Sequence, residues 1–333
     1  MKEKTAGIVI FILFVFSIIM SFVVIYYPVP SKQEESKVSI KERRRIFRGA
    51  TFYPANTIAV LNIFSVIRFN EEGDIFGIRT AGATYWLDLL KSIENEPNVK
   101  AVIIRINSPG GTVGAVQEIY NEILRLRNKG KVVTVSIGDI AASGAYYISC
   151  ACDYIVANPG SLVGSIGVIM SGLDLTELFR KIGIGYNVIK SGKNKDIFAS
   201  YRKMTEEEYK LLSDIIIDTY EQFFQAVSSG RNIKSAVLRP LADGRIFNGR
   251  QALKYKLIDE LGDFDDTIKI TAKLANISGT PNIMELKPDV NTLIKLLSSS
   301  FEGLGKSKKI NLIDSPFDKF KEGYSPLLYL YYY

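Results

Sequence analysis

Ser143 stands in the run Gly138-Asp139-Ile140-Ala141-Ala142-Ser143-Gly144-Ala145-Tyr146-Tyr147, in a chain that contains no histidine. A serine among small residues at a strand-to-helix transition has the setting of an exposed nucleophile. Its hydroxyl attacks only when a base takes the proton. Without imidazole, a Ser-His-Asp triad, a His-ligated metal and an imidazole proton shuttle are all excluded. The base has to be a lysine, a carboxylate or a group of the substrate.

Lys190, Lys193 and Lys195 cluster just after an apolar run, in Ile189-Lys190-Ser191-Gly192-Lys193-Asn194-Lys195-Asp196-Ile197. A lysine acts as a base only if burial or neighbouring cations bring its pKa from about 10.4 towards 7 or 8. A drop of about 3 units corresponds to roughly 4 kcal/mol, so such a site must keep water from the amine. Spacing alone leaves open which of the three lysines that is, and a solvated basic loop fits each of them.

Asn107-Ser108-Pro109-Gly110-Gly111-Thr112 follows another apolar run and opens a helical one. Tandem glycines allow positive φ and close backbone approach, and leave amides pointing outward at a helix start. A tight turn, an oxyanion hole and a phosphate cradle all fit. The Gly-Lys-Ser/Thr of a P-loop and the spacing of a dinucleotide fingerprint are missing. Ser143 holds the equivalent position after the next strand, where the following Gly144 amide would face an attacked carbonyl. It is not a Gly-x-Ser-x-Gly elbow, because Ala141 lies two residues before it. Both turns fall at the C-terminal ends of strands, where open α/β sheets bind ligands.

The elements that must position these residues are legible in the pattern. Apolar runs at 57–64, 101–106, 132–137, 154–157 and 186–189 read as buried strands, and 83–95, 113–127, 143–151 and 173–182 as helices between them. This alternation predicts an α/β domain with mostly parallel strands and right-handed crossovers. Thr205-Glu206-Glu207-Glu208 is a capping box opening a helix to about Ser228, with Gly230 placed to stop it. No internal repeat is visible, so one catalytic unit per chain is expected.

The chain has 333 residues, 47% hydrophobic and 23% charged, with a net charge of +7. The basic residues are scattered, and their densest cluster, 41–48, follows an apolar segment, so nucleic acid is not the expected partner. Cys150 and Cys152 are too close in sequence to bridge readily and read as small buried hydrophobes. Residues 7–27 carry no charge and match the length of a bilayer crossing; with a short flank at 1–6 they read as an uncleaved signal anchor. A polar tether (28–52), a catalytic domain (53–275) and a tail (276–333) ending in aromatic residues follow. Docking on its own domain, entry into a neighbour's groove and contact with the membrane interface all fit that tail. Two basic residues precede the anchor and six follow closely, which by the positive-inside rule would keep the domain in the cytoplasm.

The Ser-Pro-Gly-Gly turn, the Gly-Asp-Ile-Ala-Ala-Ser-Gly-Ala-Tyr-Tyr run and Gly164-Ser165-Ile166-Gly167-Val168-Ile169 together resemble the signal peptide peptidase A family. Lys190-Ser191-Gly192-Lys193-Asn194-Lys195-Asp196, 242–252 and 257–262 extend the match in order over about 57–271, in the short, single-domain form. The resemblance implies a ClpP/crotonase-like fold and a serine–lysine dyad, with Ser143 as nucleophile and Lys195 as general base. It makes Ser165 the residue that orients the lysine amine, and the amides of Gly111 and Gly144 the oxyanion hole. Asp139 and Asp196 receive structural roles, and neither cofactor nor metal is needed. Many members carry a second glycine where this chain has Ala145, which leaves the Gly144 amide in place. The family further implies a homo-oligomeric bowl at the lipid bilayer, its catalytic domain outside the cytoplasm, degrading apolar peptides such as released signal peptides. On orientation it outweighs the local charge count. Related readings are another ClpP-like membrane protease, a crotonase-type acyl-CoA enzyme and a non-catalytic membrane scaffold.

Overall fold

Strand β1 (Thr57–Ile63) buries side chains on both faces: Ile58 and Val60 point one way, Ala59, Leu61 and Ile63 the other. A strand sandwiched between two apolar layers has no polar face, which is why the run at 57–64 reads as continuous rather than alternating. The computed structural model describes residues 53–69, 72–73, 79–80, 82–286 and 328–330. The expected flank, anchor and tether, and most of the tail, lie outside the described residues.

After β1 come a short antiparallel pair, β2 (Glu72–Gly73) and β3 (Arg79–Thr80), then α1 (Ala83–Ile93), β4 (Val99–Ser108), β5 (Gly110–Thr112) and α2 (Val113–Asn128). Next are β6 (Val132–Ala142), α3 (Gly144–Ser149), β7 (Tyr154–Ala157), β8 (Leu162–Gly164) and α4 (Thr176–Lys181). The long α5 (Glu206–Gly230) leads to α6 (Ser235–Leu238), β9 (Ile246–Asn248), α7 (Gly249–Lys254), β10 (Glu260–Leu261), α8 (Phe264–Leu274), β11 (Asn282–Glu285) and β12 (Leu328–Leu330). The main sheet runs β10-β7-β6-β4-β1-β11, with β8 on the far end of β6 and β9 on β8. All its pairings are parallel except β8 with β9. Trp86, Leu90, Ile119, Ile123 and Phe223 cover one face. Phe264, Ile268 and Ala272 of α8 cover the other, over Ile58, Val60, Ala101 and Ile103. A buried hydrogen bond of 2.6 Å between Thr134 and Thr271 pins α8 to β6.

Three expectations change. Residues 186–189 form no strand: they lie in an irregular, exposed arm, where Tyr186 stacks on Tyr201 at 4.5 Å between centroids. The helix expected over 173–182 shortens to α4 and buries no residue. Gly230 does not stop α5 but is its last residue, and Arg231 caps it. A Cβ at Gly230 would run into the Cys150 carbonyl, so the glycine serves close approach of α5 to the turn after α3.

Candidate active site

β6 ends at Ala142, and Ser143 follows as the N-cap of α3 with φ 54° and ψ −120°. A non-glycine residue in that region costs on the order of 1–3 kcal/mol and persists only where its surroundings impose it. Here they do. The Ser143 amide donates to the Gly164 carbonyl at 2.8 Å, and the Ser143 carbonyl accepts from Tyr147 at 2.9 Å. Gly144 opens α3, so its N–H is among those that a helix leaves without an intrahelical acceptor. Ser143 itself is only 1% exposed, in a site that keeps bulk water off the hydroxyl.

β8 runs parallel to the end of β6 with Ala142 opposite Gly164, which sets Ser165 beside Ser143 on the neighbouring strand. Ser165 has φ 52° and is held by its amide donating to the Arg245 carbonyl at 2.8 Å. Beside it opens a cavity of about 480 Å³ lined by Ser165, Ile166, Val168, Ile216 and Tyr220.

The glycine turn is built just as tightly. Ile67 donates to the Gly110 carbonyl and accepts from the Thr112 amide, both at 2.8 Å. A Cβ on Gly111 would collide with the Ile67 carbonyl, so only glycine fits there. Because Gly110 and Thr112 spend those groups on Ile67, the N–H and C=O of Gly111 face the opposite edge of β5. On that edge lies β12, antiparallel, with Tyr329 opposite Gly111. The two turns are tied at their bases: Asn107 donates to Asp139 at 3.0 Å and accepts from the Ile140 amide at 3.1 Å.

The lysines separate by their partners. Lys190 binds Asp196 at 2.6 Å and the Lys193 carbonyl at 2.8 Å, and Lys193 binds Glu207 at 2.6 Å. Lys195 is exposed, and its amine has no ion pair among the described residues. The fold thus brings Ser143, Gly144 and Ser165 together and packs β5 against α3. No hydrogen bond joins Ser143 to Lys195 within the single chain. Asp196 accepts from Arg202, Lys190 and Tyr201, with Arg202 the chief cause of a carboxyl held well below the usual carboxylate range. Cys150 and Cys152 are free and buried, and burial pushes the Cys150 thiol up to about 12, so neither is a nucleophile.

The sequence pattern of Peptidase family S49 matches residues 125–278, and that of Clp protease matches residues 67–161. A Synechocystis protein assigned as a protease is 42% identical over 212 residues, covering 64% of this chain and 76% of that one. A protein of Enterococcus faecium assigned as signal peptide peptidase SppA is 31% identical, covering 82% of this chain and 81% of its own. The chain belongs to peptidase family S49. It is a serine-type peptidase with a ClpP-like α/β fold. The chloroplastic serine protease SPPA of Arabidopsis thaliana is also similar, 33% identical over 66% of this chain and 32% of that one.

Within this S49 peptidase, sequence reasoning did not single out Asn107 or Arg202, which fasten the turns carrying the candidate residues, and it read Glu208 only as part of a helix cap. Asn107 stands in the quoted turn and would have been reachable as its first residue. Arg202 belongs to no motif and carries no signal without coordinates.

Proposed function

We propose that this S49 peptidase is a membrane-anchored endopeptidase with a Ser143–Lys195 dyad that degrades apolar peptides such as released signal peptides. The observation that carries the reading is the backbone of Ser143. A strained serine at the end of β6, with the free first amide of α3 behind it, is the build of an acyl-transfer nucleophile. Neutral Lys195 takes the hydroxyl proton as Ser143 attacks the peptide carbonyl, and returns it to the leaving amine. The amides of Gly111 and Gly144 receive the oxyanion, and Ser165 orients the lysine amine. Water then hydrolyses the acyl-enzyme by the reverse sequence.

The partners of the other two lysines support Lys195 as the base: the amines of Lys190 and Lys193 are engaged by Asp196 and Glu207, whereas that of Lys195 has no ion pair among the described residues. Substrate binds as an extended strand on the edge of β5 that β12 covers in this structure, with apolar side chains suited to the cavity beside Ser165. Residues 7–27 supply the anchor, and the catalytic domain lies outside the cytoplasm. A homo-oligomer brings Lys195 to its place. The exposed apolar residues of the arm, including Leu173, Ile182, Ile184, Val188 and Ile189, offer the surface for that assembly.

The test is labelling of the full-length protein by a fluorophosphonate, with product analysis on an apolar, signal-like peptide. Ser143→Ala and Lys195→Ala are each expected to abolish labelling and lower kcat by about a thousandfold or more. Retained peptidase activity in either variant, or an unlabelled wild type, sinks the dyad.

A further inference from the structure

Lys195 sits on an arm that has little to hold it. Between α4 and α5 there is no helix or strand; the apolar side chains of 182–189 face solvent, and those of Ile197 and Phe198 are only half-buried. Fixing each backbone residue costs about 1–2 kcal/mol, which such a segment cannot recover from apolar burial alone. Yet a base misplaced by about 1 Å forfeits about a hundredfold in rate. Something polar must hold this turn.

Arg202 is placed to do it. Its guanidinium meets Asp196 with Nη2 at 2.6 Å from Oδ1 and Nε at 3.0 Å from Oδ2, and Nη2 also donates to the Asp196 backbone carbonyl at 3.1 Å. The same group reaches Glu208, Nη1 to Oε2 at 2.8 Å and Nη2 to Oε1 at 2.6 Å. Tyr201 and Lys190 also donate to the Asp196 carboxylate, at 3.0 and 2.6 Å. Glu208 is 3% exposed and closes the capping box of α5 with Thr205. One guanidinium therefore spans from the residue bonded to Lys195 to the first turn of α5.

We propose that Arg202 is a positioning residue for Lys195, locking the turn 192–199 to the start of α5 through Asp196 and Glu208. The inference rests on the reading of Lys195 as the base. Both carboxylates stay charged at working pH, since Arg202 holds each well below the usual range. A lysine at this position could not replace it: an ammonium has no planar fork with which to grip two carboxylates.

The test compares full-length wild type with Arg202→Gln, Arg202→Lys and Tyr201→Phe. It reads kcat and KM on an apolar fluorogenic peptide, with active sites counted by fluorophosphonate and folding followed by thermal unfolding. Arg202→Gln is expected to lower kcat per labelled site by about tenfold or more while KM stays within about twofold. Arg202→Lys stays well below wild type. Tyr201→Phe keeps the ring that stacks on Tyr186, removes one hydrogen bond to Asp196, and lowers kcat by a smaller factor; it carries the test if Arg202→Gln does not fold. Wild-type kcat in Arg202→Gln, or in Tyr201→Phe if that variant alone folds, overturns the positioning role when Lys195→Ala is inactive. An active Lys195→Ala instead overturns the reading of the base itself.

Discussion

Glu208 closes two circuits at once. Its carboxylate accepts the Thr205 amide at 2.9 Å and the Arg202 guanidinium at 2.6 and 2.8 Å, and Arg202 above all brings its carboxyl from the ordinary 4.5 to about 2. Because the folded group ionises at lower pH than an unfolded glutamate, this contribution is whole above about pH 4.5 and disappears as pH falls toward about 2. Glu208→Gln keeps an acceptor for the Thr205 amide and removes only the charge. Urea unfolding is expected to show the variant less stable than wild type near neutral pH, with the gap closing as pH falls through that window. A gap that stays constant across the window contradicts the coupling. At this scale the sequence was only partly legible. Thr205-Glu206-Glu207-Glu208 announces the cap, because a box is a local pattern. The bond from Glu208 to Arg202 is invisible, because a surface arginine six residues away has no spacing rule to give it away. The setting of Ser143 was legible for the opposite reason: the apolar run that becomes β6 and the small residues after it mark a strand-to-helix turn within a few positions.

Elements were easiest to read where both faces are buried and hardest where nothing covers them. β1, β4 and β7 fall where their apolar runs stand, and β6 continues past its run, through Gly138 and Asp139, to deliver Ser143. Residues 186–189 have the composition of a strand and no neighbour to pair with, so the same apolar pattern ends up in an exposed arm. Gly230 shows a second kind of failure. Helix punctuation reads it as a stop, whereas its lack of a Cβ is what lets α5 meet the Cys150 carbonyl. Gly230→Ala separates the two readings. Helix propensity alone predicts a gain of about 1 kcal/mol. The contact predicts a net loss of about 1–3 kcal/mol, as for other overpacked sites. Equilibrium unfolding of the variant is expected to give the loss.

At the scale of the whole molecule, the end of the chain meets the middle of the site. β12 pairs with β5 through Leu328 opposite Thr112, Tyr329 opposite Gly111 and Leu330 opposite Gly110. In the function proposed above, the backbone groups of Gly111 that face β12 are those a peptide substrate would pair with, since the opposite edge of β5 is spent on Ile67. Nothing in the local pattern of the aromatic tail predicts this pairing, because strand partners hundreds of residues apart are chosen by which edge is open. A strand bound there competes with substrate, and each 1.4 kcal/mol of docking free energy raises the apparent KM about tenfold once docking dominates. A chain shortened by residues 328–333 is therefore expected to show a several-fold lower KM on apolar peptides than the full-length protein, at unchanged kcat. A synthetic peptide of residues 325–333 added to the shortened chain restores the higher KM competitively. If the shortened chain keeps the wild-type KM, or the peptide inhibits without competing, β12 does not share the substrate's edge.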